Sequence, residues 1–291
     1  MRRSGIVLGI VLGCSSVVAG ATAAASAAEP DLPYLLQLRG ELVEVRYSPG
    51  ALDRAAHVQQ RFELLAGLLA DLAHRPVRLT VWVVDPEDWK RGGFTRPFGL
   101  PQTMGEWGVA LPAWGDDQSV ALWRDLLGGA LPPTGGSPVR GSGAEAASLG
   151  LADVAAQVDV VRLAFSSFGY SAEPPWATEV AVHAAARLAF SRFEAGRMEE
   201  IDSVFARLAA RGGGDGAHPL AGFDPLAPAP VKLWYEAQFA RGARLLFDAE
   251  RDRQIRRLLL HGLRKGAVAG GAELEKRAPA LVDWQRVAFA P

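Results

Sequence analysis

The sequence predicts an α+β protein, with strands confined to an N-terminal part and a C-terminal part built of helices alone. Three observations carry this expectation. Residues 41–47 (ELVEVRY) and 77–84 (VRLTVWVV) read as strands, one long helical pattern lies between them, and every periodic segment after residue 149 has helical spacing. The 291-residue chain is 49% hydrophobic and 22% charged, which suits a packed core and excludes a disordered tail, a collagen-like fibre or a coiled coil. A formal net charge of −1 argues against nucleic acid as a partner, because such proteins normally carry a basic excess or a basic face.

Taken in order, the first element lies ahead of the fold. Arg2 and Arg3 precede an apolar run from Ile6 to Val18, and small residues continue to Ala28 through Ala25-Ser26-Ala27. This is the layout of a secretory signal peptide over residues 1–28, so the chain is expected to be exported, to the periplasm or the extracellular medium. The alternative is a lipoprotein processed at Cys14, since Val11-Leu12-Gly13-Cys14 approximates a lipobox. Loss of residues 1–28 would take the charge from −1 to −3 and remove the single cysteine, as suits an oxidising compartment. No later segment has 18 apolar residues in a row, so no integral membrane segment is expected after cleavage.

Glu41 to Tyr47 alternates apolar and charged residues as a half-buried strand does, and Ser48-Pro49-Gly50 supplies a turn. Ala51 to Leu72 reads as a helix, with Leu52, Ala55, Phe62, Leu65, Leu69 and Leu72 recurring at helical steps. Val77 to Val84 is a second, more buried strand that ends at Asp85-Pro86. Trp107 to Leu111 is short and apolar and stops at Pro112, which reads as an edge strand. Residues 128–147 are rich in Gly, Pro and Ser and read as a linker or long loop that closes an N-terminal lobe over 29–147. A helical lobe over 148–291 follows. Its expected helices are Leu149–Phe168, Trp176–Glu194 after Pro174-Pro175, Met198–Ala210, Lys232–Asp248, Arg251–Arg264 and a short one around Leu281–Val287.

The segment 158–186 (VDVVRLAFSSFGYSAEPPWATEVAVHAAA) joins two of these helices, and the second opens with Trp176-Ala177-Thr178-Glu179. It resembles the gluzincin metallopeptidases, specifically the exported peptidase-MA-like group. There one helix bears HExxH and the next opens with W-x-x-E-G, whose Glu is the third zinc ligand. Two His at i and i+4 share one helical face, the Glu between them activates the metal-bound water, and the facing helix completes the site. The likeness extends over residues 40–289. Tyr47-Ser48-Pro49-Gly50 is similar to the family's Y-x-P-G strand ending, Pro76 to Val84 to its P-x-x-V strand, and Trp107-Gly108-Val109 to its W-x-G segment. Tyr235-Glu236-Ala237-Gln238 and Trp284 fit the helices that follow the site. The resemblance implies a zincin-like fold.

The pattern departs where the chemistry would lie. Aligning Glu179 with the family's Glu puts Val158 and Arg162 at the two His positions and Asp159 at the position of the base. The five histidines, His57, His74, His183, His218 and His261, contain no i, i+4 pair. Valine cannot ligate a metal and arginine has no lone pair to offer. Asp is a methylene shorter than Glu, and a base displaced by about 1 Å can lose a hundredfold in rate. The resemblance therefore implies a catalytically inactive, exported protein that binds or scaffolds, with a peptide or an envelope protein as partner and no cofactor. A peptide could add to the Trp107–Leu111 edge. With no other cation in the local sequence, Arg162 is expected to take the old metal position and bond Glu179, with Asp159 as second partner.

Two other readings stand beside this one: an active hydrolase, zinc-dependent or unconventional, using Asp159, Glu179 and His183, and a structural envelope component. Glu179 and His183 have i, i+4 ligand spacing but supply only two ligands. Tyr235 falls where gluzincins hold an oxyanion-steadying side chain, and it reads equally as a core tyrosine. Arg251–Lys265 is basic, yet its acidic start and its Ile255, Leu258, Leu259 and Leu263 stripe mark a solvated helix face. The Gly-rich runs 135–143 and 212–216 lack a phosphate-loop pattern, and Gly141-Ser142-Gly143 is only a fragment of G-x-S-x-G.

Overall fold

Each strand and helix can be followed in a computed structural model that describes residues 30–132, 143–211, 218–224, 227–265 and 270–289. The expected signal segment, Cys14 included, lies outside the described residues. The N-terminal half contains β1 (Leu36–Arg39), β2 (Val43–Tyr47), α1 (Leu52–Ala73), β3 (Leu79–Val84), α2 (Pro86–Arg91), β4 (Gln102–Met104), β5 (Gly108–Pro112) and α3 (Asp117–Leu127). Helices follow: α4 (Gly143–Ser167), α5 (Pro175–Phe193), α6 (Met198–Ala210), α7 (Ala229–Ala249), α8 (Asp252–Lys265), α9 (Gly271–Arg277) and α10 (Ala280–Ala288). The architecture is α+β, a mixed sheet and then helices.

The sheet has five strands in the order β1-β2-β3-β5-β4. The three inner strands are parallel, with Val45 opposite Val81 and Val81 opposite Val109, and the two outer strands are antiparallel to their neighbours. This corrects the reading of Trp107–Leu111 as an edge. β5 pairs with β3 on one side and with β4 on the other, and all five of its residues are buried. The missed neighbour, β4, is a three-residue strand of Gln102, Thr103 and Met104, too short and too polar to show a period. It folds back through Gly105, whose φ of +55° favours glycine. Gly108 is equally required, because a Cβ there would meet the Trp82 ring at 2.5 Å.

The turn after β2 does more than reverse the chain. Ser48 is fully buried; its Oγ donates to Asp88 Oδ2 at 2.5 Å and accepts from the Asp85 amide at 3.0 Å, tying the end of β2 to the start of α2. Gly50, at φ +89°, then turns the chain into α1. α1 lays Val58, Phe62, Leu65, Leu69 and Leu72 against the sheet, all at or below 1% exposed. α3 was not anticipated; Asp116 and Ser119 form its reciprocal capping box and Gly128 ends it in the left-handed region.

α4 starts at Gly143, so residues 143–147 belong to a helix and not to the expected linker; residues 133–142 lie outside the described residues. Gly115 lets this first turn pack closely, since a Cβ there would meet the Glu145 backbone within 2.9 Å. The Gly-rich run 212–216 is likewise outside the described residues.

One apolar cluster runs without a break from Val45, Val81 and Leu111 of the sheet through Phe62 of α1 to Val161, Val180, Phe190 and Phe239 of the helices. A smaller cluster, with Trp82, Val84, Trp89, Phe98 and Met104, covers the other face of the sheet. Successive β3 residues alternate between the two, as the pleat requires. Among the described residues no helix is long and apolar enough to cross a membrane.

Candidate functional site

Three helices, α4, α5 and α7, each bring two polar side chains into the same place. On α4 they are Asp159 and Arg162, on α5 Glu179 and His183, and on α7 Lys232 and Glu236. The i, i+3 and i, i+4 spacings put each pair on one helical face. The Arg162 guanidinium is at the centre. Its Nε and Nη2 donate to Glu179 Oε2 at 3.0 and 2.9 Å, its Nη1 to Asp159 Oδ1 at 2.8 Å, and its Nη2 to both Glu236 oxygens at 2.7 and 2.8 Å. The expected Arg162–Glu179 bond and the second bond to Asp159 are both present.

The third carboxylate and a second cation were not expected. Lys232 Nζ donates to Asp159 at 2.7 and 2.9 Å, and His183 Nε2 is 2.6 Å from Glu236 Oε2. Arg96, from the loop after α2, comes within 3.8 Å of Asp159 on its other side. Glu236 belongs to the Tyr235-Glu236-Ala237-Gln238 segment, where local spacing assigns it no role. The available signal was a Lys–Glu pair at four-residue spacing inside the strongly apolar KLWYEAQF. Such charges are rarely buried without partners.

The network is buried but not sealed. The side chains of Asp159, Glu236 and Lys232 are 4–6% exposed, whereas Arg162 and Glu179 are 15% and 12% exposed. The Phe223 ring lies over the guanidinium, 5.5 Å away. Burial alone would raise the Glu236 carboxyl; Arg162, the His183 bond and Lys232 reverse this and hold it well below the usual carboxylate range. Burial by itself would lower Arg162, and the carboxylates of Glu179, Glu236 and Asp159 instead push it well above its ordinary value.

A zinc ion does not fit these residues. The carboxylate oxygens that would face it accept bonds from a guanidinium that fills the space between them, and the Lys232 ammonium stands beside it. Val158, at one aligned His position, is packed in the apolar core at 3% exposed. Among the described residues no group of three or more His, Cys, Asp or Glu is placed to hold a metal ion. Glu179 and His183 do meet at one network, but through Arg162 and Glu236. Tyr235 is 1% exposed, its hydroxyl donates to the Pro219 carbonyl at 2.7 Å, and its ring packs among Trp234, Phe223 and Phe289. Burial raises its phenol.

A second ion network lies nearer the start of α4. Asp153 accepts from both Arg54 guanidinium nitrogens and from Arg61 Nη1 at 2.9 Å. Arg61 Nη2 also reaches Glu194 Oε2 at 3.0 Å, which Arg197 bonds at 2.7 Å. Opposing charges hold Asp153 below the usual carboxylate range although burial works the other way. His57 stands beside this cluster with its Nε2 buried and unbonded, and burial together with the Arg61 charge pushes it down to about 4.

No known protein family matches this sequence, and no curated protein matches it either.

Proposed function

We propose that this chain is an exported, catalytically inactive protein on a peptidase-like frame, acting by binding or scaffolding in the cell envelope. One observation supports the reading: where the resemblance would put a zinc ion, the Arg162 guanidinium is bonded to Asp159, Glu179 and Glu236. A fixed cation can link the three helices as a divalent ion would, but it offers no open position at which to bind and activate a water. Asp159, which the resemblance aligns with the base, already accepts from Arg162 and from Lys232. A peptide or an envelope protein is the proposed partner. Strand addition to 107–111 is excluded as its route, since both flanks of β5 are paired.

The test is a metal analysis of the purified mature chain together with cleavage of an unstructured protein substrate. The expected result is metal far below one equivalent and no cleavage, with or without added zinc. Stoichiometric zinc with chelator-sensitive cleavage would overturn the proposal.

A further inference from the structure

Beside the ion network lies a cavity of about 250 Å³. Trp176, Phe223 and Phe239 line it, and among the described residues its charged lining residues are Glu179 and the exposed Glu173. The Glu179 side chain is 12% exposed. Its Oε2 accepts twice from Arg162, while Oε1 has no hydrogen-bond partner among the described residues. That oxygen is not among the buried unbonded side-chain atoms, so it is open to solvent and can accept a charge-assisted bond from a ligand N–H.

We infer that this cavity binds an organic cation, the alkylammonium or guanidinium end of a basic side chain or of a free amine. Aromatic faces attract a cation through their quadrupoles, and a carboxylate at the same place adds a charge-assisted bond. Phe223 already presents one ring face to a guanidinium, that of Arg162. An anion would meet the carboxylates of Glu173 and Glu179, while Arg162, which bonds Glu179, is already shared among three carboxylates. The volume is below the roughly 300–1,000 Å³ of a drug-sized pocket, so it takes one side-chain end group and not a length of peptide. Apolar walls favour an organic ion over sodium, whose hydration shell they cannot replace.

The inference rests on the reading of this chain as a binding protein, but its test involves neither metal nor proteolysis, so either can fail alone. The mature chain is titrated at constant ionic strength with n-butylammonium, N-acetyl-arginine amide, the capped tripeptide Gly-Lys-Gly and neutral N-acetyl-norleucine amide, following tryptophan fluorescence and calorimetric heat. Saturable binding of the cations is expected, with norleucine at least about tenfold weaker. Equal affinity of butylammonium and the tripeptide assigns a free amine; a tripeptide about tenfold tighter assigns a polypeptide side chain. Phe223→Ala should weaken binding about tenfold and Glu173→Gln, at an exposed position, about threefold. No saturation by about 10 mM cation, norleucine binding as well as the cations, or unchanged affinity in both folded variants overturns the inference.

Discussion

Lys232 Nζ stands 2.7 and 2.9 Å from the two oxygens of Asp159, across 73 residues of sequence and from one helix to another. With this bond the buried charges approach balance: Arg162 and Lys232 answer Asp159, Glu179 and Glu236, with Arg96 also within 3.8 Å of Asp159. Neither cation could carry the three carboxylates alone.

Arg162→Ala should therefore destabilise the protein by about 3–5 kcal/mol, since it leaves buried carboxylates with too little positive charge. Arg162→Lys keeps the charge but loses the planar fork, and should fall between the wild type and Ala. Urea unfolding followed by circular dichroism measures both. A loss under about 1 kcal/mol for Ala would mark the network as an ordinary surface pair.

The second network makes a parallel prediction. Asp153 is 1% exposed and bonds both Arg54 and Arg61, so Asp153→Asn deprives Arg54, 2% exposed, of its carboxylate and leaves Arg61 with Glu194. A loss of about 3–5 kcal/mol is expected in the same unfolding assay. Because no polar side chain is shared between the two networks, Arg162→Ala and Asp153→Asn should add within about 0.5 kcal/mol.

Acid should weaken the fold in two stages. His57 is pushed from 6.5 to about 4 in the folded chain, so between those values the unfolded chain binds the extra proton and stability falls as pH falls. Glu236, lowered from an ordinary 4.5, contributes stability that is complete above that value and is lost below it. Unfolding measured from pH 7 to pH 3 should show both declines. His57→Gln should flatten only the part between pH 6.5 and 4.

Val109→Pro, harmless at an open edge, should here be damaging. Val109 lies opposite Val81 on one side and Thr103 on the other, so a lost amide leaves a buried carbonyl unpaired. About 1–3 kcal/mol is the expected cost, with added strain from the ring, read as a lower melting temperature and poorer soluble yield.

Much of this was legible in the sequence where period and punctuation coincide. Met198–Ala210 was read to the residue, and Pro174-Pro175 placed the start of α5 to within one. β1, β4, α2 and α9 are four, three, six and seven residues long, too short for a periodic signal. α4 hid its first turn because Gly143 to Ala147 is glycine and alanine around one glutamate and carries no apolar rhythm. At the site, Arg162 and Glu179 were legible as a pair because one loop separates their helices. Lys232 and Glu236 were not, because their helix arrives from some 70 residues away. Nothing in local spacing names a partner at that range.

α4 has apolar neighbours on nearly every side: Ala152, Val154, Ala156, Val158, Val160 and Val161 are all 5% exposed or less. A helix buried all round has no greasy stripe to decide which way it faces. Its polar residues decide instead, with Asp153 and Gln157 directed toward α1 and Glu194, and Asp159 and Arg162 toward α5 and α7. A slip of one residue, about 100° about the helix axis, would aim these groups into hydrocarbon. The charges thus fix the azimuth of the central helix. With all four made apolar, the helix should remain but lose its single orientation, keeping far-ultraviolet dichroism while the near-ultraviolet signal fades.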